Sequence, residues 1–411
     1  MVSQFQTRKN YLNLDFGATF SVRLAVPLAN LTFVRELVAL DMPASDHFVD
    51  AIKSIWNDGD GFVPIDQRLP HKAKRSLIGS LKPSRVIDWS GAVTKLDESI
   101  PLEDGQCLAM ATSGTTGTPK IVMFTMDQLE ASARATSGYI GVGASDKWLC
   151  CIPVAHIGGL SVILRSLLVG NPVEVHSSFD AADATDAARR GATLVSLVPT
   201  ALAEIDPAIF RRIVLGGSKP PSLVPENVMV TYGLTESGSG VVYDGSPLPG
   251  LEIEISSRNE IMLKGPMLAT RFRNGVSIQD EHGWFHTKDA GRFNNNKLEV
   301  FGRMDEVINT GGENVFPAEI ESILAVHPKV RQVAVIPLPD SRWGEAVTAV
   351  IVPNPELDPP KLEEIREAIK SVLPPYCAPT RLHIVDEMPT TNLGKIQKHL
   401  LKKLFTQKNR L

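Results

Sequence analysis

Ala111-Thr112-Ser113-Gly114-Thr115-Thr116-Gly117-Thr118-Pro119-Lys120 gathers five hydroxyl side chains and two glycines into ten residues and closes on a lysine. Such a stretch makes neither a helix nor a buried strand, because glycine costs conformational entropy there and nothing in it fills a core. It can offer backbone N–H groups, hydroxyls and one ammonium to an anion, which is the chemistry of a phosphate cradle. A Walker loop needs Gly, four residues, then Gly-Lys-Ser/Thr. Counted from Gly114, the required glycine falls on Pro119, and Ile121 follows the lysine. The loop is therefore a phosphate cradle of another kind.

The chain around it has 411 residues, more than one ordinary core holds, so two or more domains are expected. Composition is that of a globular protein, 43% hydrophobic and 21% charged with net charge −4. The mildly acidic balance gives no footing for nucleic acid or an anionic membrane. The four cysteines, Cys107, Cys150, Cys151 and Cys377, have no zinc-ligand spacing and fit a reducing compartment. The first residues lack the basic and apolar blocks of a signal peptide. The most apolar stretch, Ile157 to Gly170, is interrupted by Arg165 and is too short for a bilayer, which takes ~20 residues. A cytoplasmic protein is expected.

Short apolar runs alternate with amphipathic ones. Lys147–Ile152, Pro172–His176, Ala192–Val198, Arg212–Leu215 and Asn227–Thr231 predict buried strands, with helices over Asp127–Thr136 and Asp180–Arg190. This pattern predicts an α/β domain with a largely parallel sheet. Leu251–Ile255, Glu260–Lys264 and Lys297–Phe301 then alternate between Gly, Asn and Asp, predicting a small antiparallel, barrel-like sheet. Roughly the last hundred residues change texture again, with helices over Ala318–Ala325 and Pro360–Val372 and strands over Val330–Pro337 and Ala346–Val352, a separate α+β domain.

Three more clusters carry chemistry. Thr231-Tyr232-Gly233-Leu234-Thr235-Glu236 ends a strand where open α/β sheets bind ligands. Tyr232 offers a ring face, Thr235 a hydroxyl, and Glu236 an oxygen ligand for Mg²⁺. Gly283-Trp284-Phe285-His286-Thr287-Lys288-Asp289, followed by Gly302-Arg303-Met304-Asp305, supplies a carboxylate for ribose hydroxyls and an arginine beside it. Asn392-Leu393-Gly394-Lys395 sets a lysine on a glycine turn. Singly, each reads as an ordinary loop or turn.

In this order, with Thr310-Gly311-Gly312-Glu313-Asn314-Val315-Phe316-Pro317-Ala318-Glu319 before the last, the clusters resemble the adenylate-forming enzymes: acyl-CoA synthetases, adenylation domains and firefly luciferase. The resemblance runs from about residue 100 to about residue 400. It implies a large N-terminal ATP- and acid-binding domain of stacked α/β layers plus the barrel-like sheet (1–302), a hinge (303–306) turning at Asp305, and a mobile α+β C-terminal lid (307–411). It implies two steps: a carboxylate attacks the α-phosphate of ATP and releases pyrophosphate, then the thiol of coenzyme A displaces AMP. Thr112, Ser113, Gly114, Thr115, Thr116, Gly117, Thr118 and Lys120 would grip the β- and γ-phosphates. Tyr232 would stack on adenine beside Gly233, with Gly216, Gly217 and Ser218 as the other wall, and Asp289 and Arg303 would bind ribose. Thr235 would contact the α-phosphate, Glu236 would hold Mg²⁺, and Lys395 would bridge the reacting carboxylate and phosphate. A positioned cation is what the meeting of two anions requires. Two residues depart from the family pattern, Lys288 for a glycine and Thr390 for an arginine. With 111 residues before Thr112, the resemblance also implies a trimmed N-terminal subdomain.

For the acid, the resemblance places the acyl and CoA pocket at His156, Gly158, Gly159, Ser161, Val198 and Pro199, with Gly311 and Gly312 arriving from the lid. Arg165 is unusual in so apolar a run. A buried arginine needs a partner, either a protein carboxylate or an anionic ligand. His156-x-x-Gly159, Arg165, Val195–Thr200, Val242–Gly250 and Asn309–Val315 look like o-succinylbenzoate–CoA ligases of menaquinone biosynthesis. Their acid is a dicarboxylate whose second carboxylate stays free, and Arg165 is the candidate to meet it. The alternatives are an aryl or medium-chain acyl-CoA ligase, an amino-acid adenylating domain, or a non-catalytic nucleotide-binding relative. The expected partners are small molecules (the acid, ATP and CoA), with no nucleic acid and no membrane insertion; a homodimer is left open.

Overall fold

The computed structural model describes residues 12–15, 21–24, 34–112, 120–218, 220–221, 223–390 and 396–408. Among these, two seven-stranded sheets form the large domain. The first runs in the order Arg271–Phe272, Lys120–Thr125, Gln106–Thr112, Gly61–Pro64, Leu37–Asp41, Arg85–Asp88 and Val93–Lys95, parallel at its centre and antiparallel at both margins. The second runs Val173–Val175, Trp148–Cys150, Leu194–Leu197, Arg212–Leu215 and Val228–Leu234 in parallel, then Ser239–Tyr243 and Ser246–Pro247 antiparallel. The expected strands of this region are all present, most of them shorter than the apolar runs that announced them.

Helices Asp46–Asn57, Met126–Ile140 and Ile157–Val169 lie between the sheets. One core joins Phe48, Phe62, Val122 and Phe124 on the first sheet's side to Trp148, Leu160, Ile163, Leu194 and Tyr243 on the second's. This explains why Ile157–Val169 is apolar nearly all round: it has no solvent face to spend on polar residues over most of its length. Met126–Ile140 starts on a capping box, Thr125 with Gln128, and stops on Gly141 at φ 70°. Further helices cover the outer faces, His71–Leu81 on the first sheet and Ala181–Arg189 on the second.

The expected small antiparallel sheet follows as Glu252–Ile255, Glu260–Lys264, Phe285–Asn294 and Lys297–Arg303. A short 3₁₀ turn, Met304–Glu306, leads from it into the C-terminal sheet. There Gly344–Pro353 pairs with Val330–Asp340, Arg381–Ile384 and the Ile308–Thr310 strand of a hairpin completed by Glu313–Val315. Pro317–Leu324 and Leu362–Lys370 pack into its core with Ile320, Leu324, Ile365 and Ile369. Among the described residues, no helix is long and apolar enough to cross a membrane.

Candidate active site

Parallel strands bring their C-terminal ends to one edge, and open α/β sheets bind ligands there. In the second sheet four of the five segments that leave this edge are Ile152–His156, Val198–Pro199, Gly216–Gly217 and Tyr232–Glu236. These are four of the predicted site segments, far apart in sequence and assembled by strand order alone. Gly217, at φ 84°, turns beside Val198, whose Cγ1 would lie 3.3 Å from an added Cβ. Thr231 donates its hydroxyl to the Leu215 carbonyl at 3.0 Å and ties the tyrosine strand to the glycine turn. Gly233 admits no side chain, since a Cβ would stand 2.2 Å from the Ser239 carbonyl oxygen.

The small sheet adds the ribose candidates. Asp289 and Arg303 are cross-strand partners, so their meeting is a matter of register. Arg303 Nη1 donates to Asp289 Oδ1 at 3.3 Å and to the Thr287 carbonyl at 3.0 Å, and its Nε reaches Asp305 at 3.2 Å. The Tyr232 hydroxyl donates to Asp289 Oδ2 at 2.8 Å, which ties the ring on the second sheet to the small antiparallel sheet. Burial pushes the Asp289 carboxyl up, while Tyr232 and Arg303 pull it back. The Tyr232 phenol is driven well above its ordinary range by burial, with the Asp289 charge adding to it.

Thr235–Ser237 forms a 3₁₀ turn directly after the tyrosine strand. Burial raises the pKa of Glu236, and Lys120, Arg303 and Asp289 are the charges that act on it. Lys120, the Thr235–Ser237 turn and the Asp289–Arg303 pair thus share one electrostatic neighbourhood. Glu236 fits a Mg²⁺ site of the kind completed by phosphate oxygens and water: it is a single, partly desolvated carboxylate whose charge a cation would compensate. Thr112 and Lys120 close the base of the expected phosphate loop as cross-strand partners. Ser113, Gly114, Thr115, Thr116, Gly117 and Thr118, and likewise Lys395, lie outside the described residues.

Of the residues expected to line the acyl pocket, His156, Gly158, Gly159, Ser161 and Arg165 belong to helix Ile157–Val169 and its N-cap. His156 is its N-cap residue, and Gly159 lets it begin there: an added Cβ would stand 2.4 Å from the Ile152 carbonyl oxygen. Gly158, Ser161 and Arg165 follow on one face, at helical spacing. Arg165 is 3% exposed. Its guanidinium carbon lies 4.6 Å from the Trp148 ring centroid, and its Nη2 donates to Ser196 Oγ at 3.2 Å. No carboxylate among the described residues pairs with it, so the internal salt bridge that was one of its two expected partners is not there. Its Nε and the Tyr243 hydroxyl, the group that faces it, are both buried without a hydrogen-bond partner.

The glycine hairpin of the C-terminal sheet is formed, with Gly311 at φ 62° and Gly312 at φ 89°. Its backbone bonds run to its own sheet, Gly311 N–H to the Trp343 carbonyl at 2.8 Å. No hydrogen bond among the described residues joins it to the His156–Arg165 group. Sequence reasoning passed over Asp66 and Arg68, which leave the C-terminal end of strand Gly61–Pro64 and reach His156. Their signal was a charged Asp-Gln-Arg following an apolar strand. It passed over Trp148 as well, whose ring is hidden in an apolar run.

The AMP-binding enzyme family matches residues 60–258, and the AMP-binding enzyme C-terminal domain matches residues 319–395. A probable 2-succinylbenzoate–CoA ligase of Mycobacterium tuberculosis is 37% identical over 356 residues, covering 80% of this chain and 88% of the relative. The 2-succinylbenzoate–CoA ligase of Bacillus licheniformis is 33% identical, covering 78% and 76%. Among solved structures, the o-succinylbenzoate CoA synthetase of Bacillus subtilis in complex with its acyl-adenylate intermediate superposes with a TM-score of 0.79 at 27% identity, covering 90% of this chain and 89% of that one. With both parts of the family matched in order, and relatives of this identity matched over most of their length, the chain belongs to the AMP-binding, adenylate-forming enzymes, among the 2-succinylbenzoate–CoA ligases.

Proposed function

We propose that the chain is an ATP-dependent ligase that converts 2-succinylbenzoate to its coenzyme A thioester through an acyl-adenylate. The observation that carries this reading is the meeting of Tyr232, Glu236, Lys120, Asp289 and Arg303 in one neighbourhood at the sheet's C-terminal edge. In the first step a carboxylate oxygen of the acid bonds to the α-phosphorus of ATP and pyrophosphate leaves. In the second the sulfur of coenzyme A bonds to the acyl carbon and AMP leaves.

In this reading Asp289, held by Tyr232 and Arg303, accepts from the ribose hydroxyls, and the Tyr232 ring and the Gly216–Gly217 turn flank the base. Residues 112–120 grip the leaving pyrophosphate. Thr235 donates to the α-phosphate. A Mg²⁺ held by Glu236 supplies charge neutralisation as the phosphates separate. Lys395 stabilises the charge that gathers where carboxylate and phosphate meet, a role whose loss typically costs roughly 10²–10³ in rate. The turn Met304–Glu306 is assigned as the hinge, bringing Gly311 and Gly312 to the pocket for the second step. We place the protein in the cytoplasm, acting on small molecules.

Arg165 is assigned to the free carboxylate of the substrate. Its two neighbours with hydrogen-bonding capacity leave Nε unused, and an arginine fork matches a carboxylate. The test is pyrophosphate release with ATP, Mg²⁺ and coenzyme A. 2-Succinylbenzoate should support turnover and thioester formation well above benzoate or hexanoate; equal rates with the three acids would overturn the substrate assignment.

A further inference from the structure

His156 stands at the N-cap of the pocket helix, and its ring is held from outside that helix. Arg68 Nη2 lies 2.7 Å from His156 Nε2 and 2.7 Å from Asp66 Oδ2. Arg68 Nε lies 2.8 Å from Asp66 Oδ1, and the Arg68 backbone N–H caps the same oxygen at 3.0 Å. A guanidinium has five donors and no acceptor. The contact with Nε2 therefore has one polarity: Arg68 donates and the imidazole nitrogen accepts. An imidazole that accepts at Nε2 is neutral and carries its proton on Nδ1. The bidentate Asp66 fork aims the guanidinium, so that the two protons of Nη2 are divided between carboxylate and ring.

The surroundings agree. The N-terminus of a thirteen-residue helix disfavours positive charge beside it. Burial and the Arg68 charge hold the His156 pKa below its ordinary value near 6.5, and Asp66 opposes them. The other charged residue on the helix, Arg165, is two turns away. The thiols of Cys150, which ends the strand leading to His156, and of Cys151 just after it are kept protonated by burial.

We propose that Asp66 and Arg68 are positioning residues that lock His156 as the neutral Nδ1–H imidazole. The locked ring cannot take the thiol proton at Nε2 and serves the pocket as a fixed donor. The inference rests on the placement of His156 in the acyl and CoA pocket, and the experiment separates the two. The first readout is ¹⁵N-histidine NMR of the full chain, with His156 assigned by comparison with H156Q. In the wild type the His156 nitrogens should keep the Nδ1–H pattern through the pH range in which a free imidazole takes its proton. In R68M, and more weakly in D66N, the ring should titrate near its free value, and R68K should restore part of the lock. The second readout is kcat/KM for coenzyme A against pH. The freed ring of R68M can take a proton at Nε2 and become charged, so R68M should gain a pH dependence that follows its ring's titration, where the wild type is level. A wild-type His156 that titrates near pH 6.5, or an R68M ring that still does not titrate, overturns the lock. A lock that is released in R68M with the pH dependence unchanged overturns the pocket placement instead.

Discussion

Replacing Arg165 by methionine separates a structural guanidinium from a functional one. Arg165 is buried between the two sheets with no carboxylate beside it among the described residues. The Trp148 face at 4.6 Å contributes about 2 kcal/mol when desolvated, and the hydrogen bond to Ser196 about 1.5. Against this stand several kcal/mol for taking the ion out of water and about 1–3 for the unpartnered Nε. The balance is unfavourable, and methionine keeps most of the packing on Trp148. R165M should therefore unfold at higher denaturant, with a gain of about 1–4 kcal/mol. The same variant should lose kcat/KM for 2-succinylbenzoate by at least about a hundredfold, since loss of one partner of a buried pair costs about 3–5 kcal/mol. The control is 4-oxo-4-phenylbutanoate, which lacks the ring carboxylate and should change by less than about threefold. Denaturation curves with pyrophosphate-release kinetics on both acids measure this. A destabilised R165M in which both acids lose activity equally would refute the reasoning and make Arg165 a residue of the fold.

Tyr232→Phe removes the 2.8 Å bond to Asp289 and should cost about 1.5 kcal/mol, a roughly tenfold rise in KM for ATP with kcat little changed; steady-state kinetics over ATP concentration checks it. Lys288 sits at φ 61°, a left-handed conformation that a side chain disfavours, so Lys288→Gly should stabilise by up to about 1 kcal/mol in equilibrium unfolding. The Glu260 and Asp280 carboxylates raise the His286 pKa, so the contribution of this ring to stability is full below pH 6.5 and is lost as pH rises through the raised value. H286Q should therefore lower Tm more at pH 5.5 than at pH 8.5, and an equal loss at both would contradict the sign. Lys395→Ala should abolish adenylate formation and leave thioester formation from supplied acyl-adenylate largely intact, read by single-turnover assays of each step.

The parallel strands and the antiparallel sheet were legible because each kind of burial writes its own pattern: continuous apolar runs where both faces are covered, alternation where one is. The site was legible as an ordered set of clusters, each meaningless alone. What joins them is strand order and register, and neither is written locally. The Asp289–Arg303 pairing depends on the register of two strands, and the Tyr232–Asp289 bond on the packing of one sheet against another. The glycine usual before Asp289 has a physical reason that only the backbone supplies, the positive φ that Lys288 here adopts. Arg68 escaped notice because its role is defined by His156, on another sheet's edge. Arg165 stood out at once, as a charge in an apolar helix, yet sequence left open what it meets. Its surroundings of Trp148, Ser196 and Tyr243 come from three separate strands.

The central claim is that the acid is activated as an adenylate. With 2-succinylbenzoate, Mg²⁺ and α-labelled ATP but no coenzyme A, rapid quench and mass spectrometry should find an acyl-adenylate and pyrophosphate formed in equal amounts. Coenzyme A should then convert the adenylate to thioester and AMP. ADP and inorganic phosphate as products, or label that reaches AMP with no adenylate before it, would contradict the account.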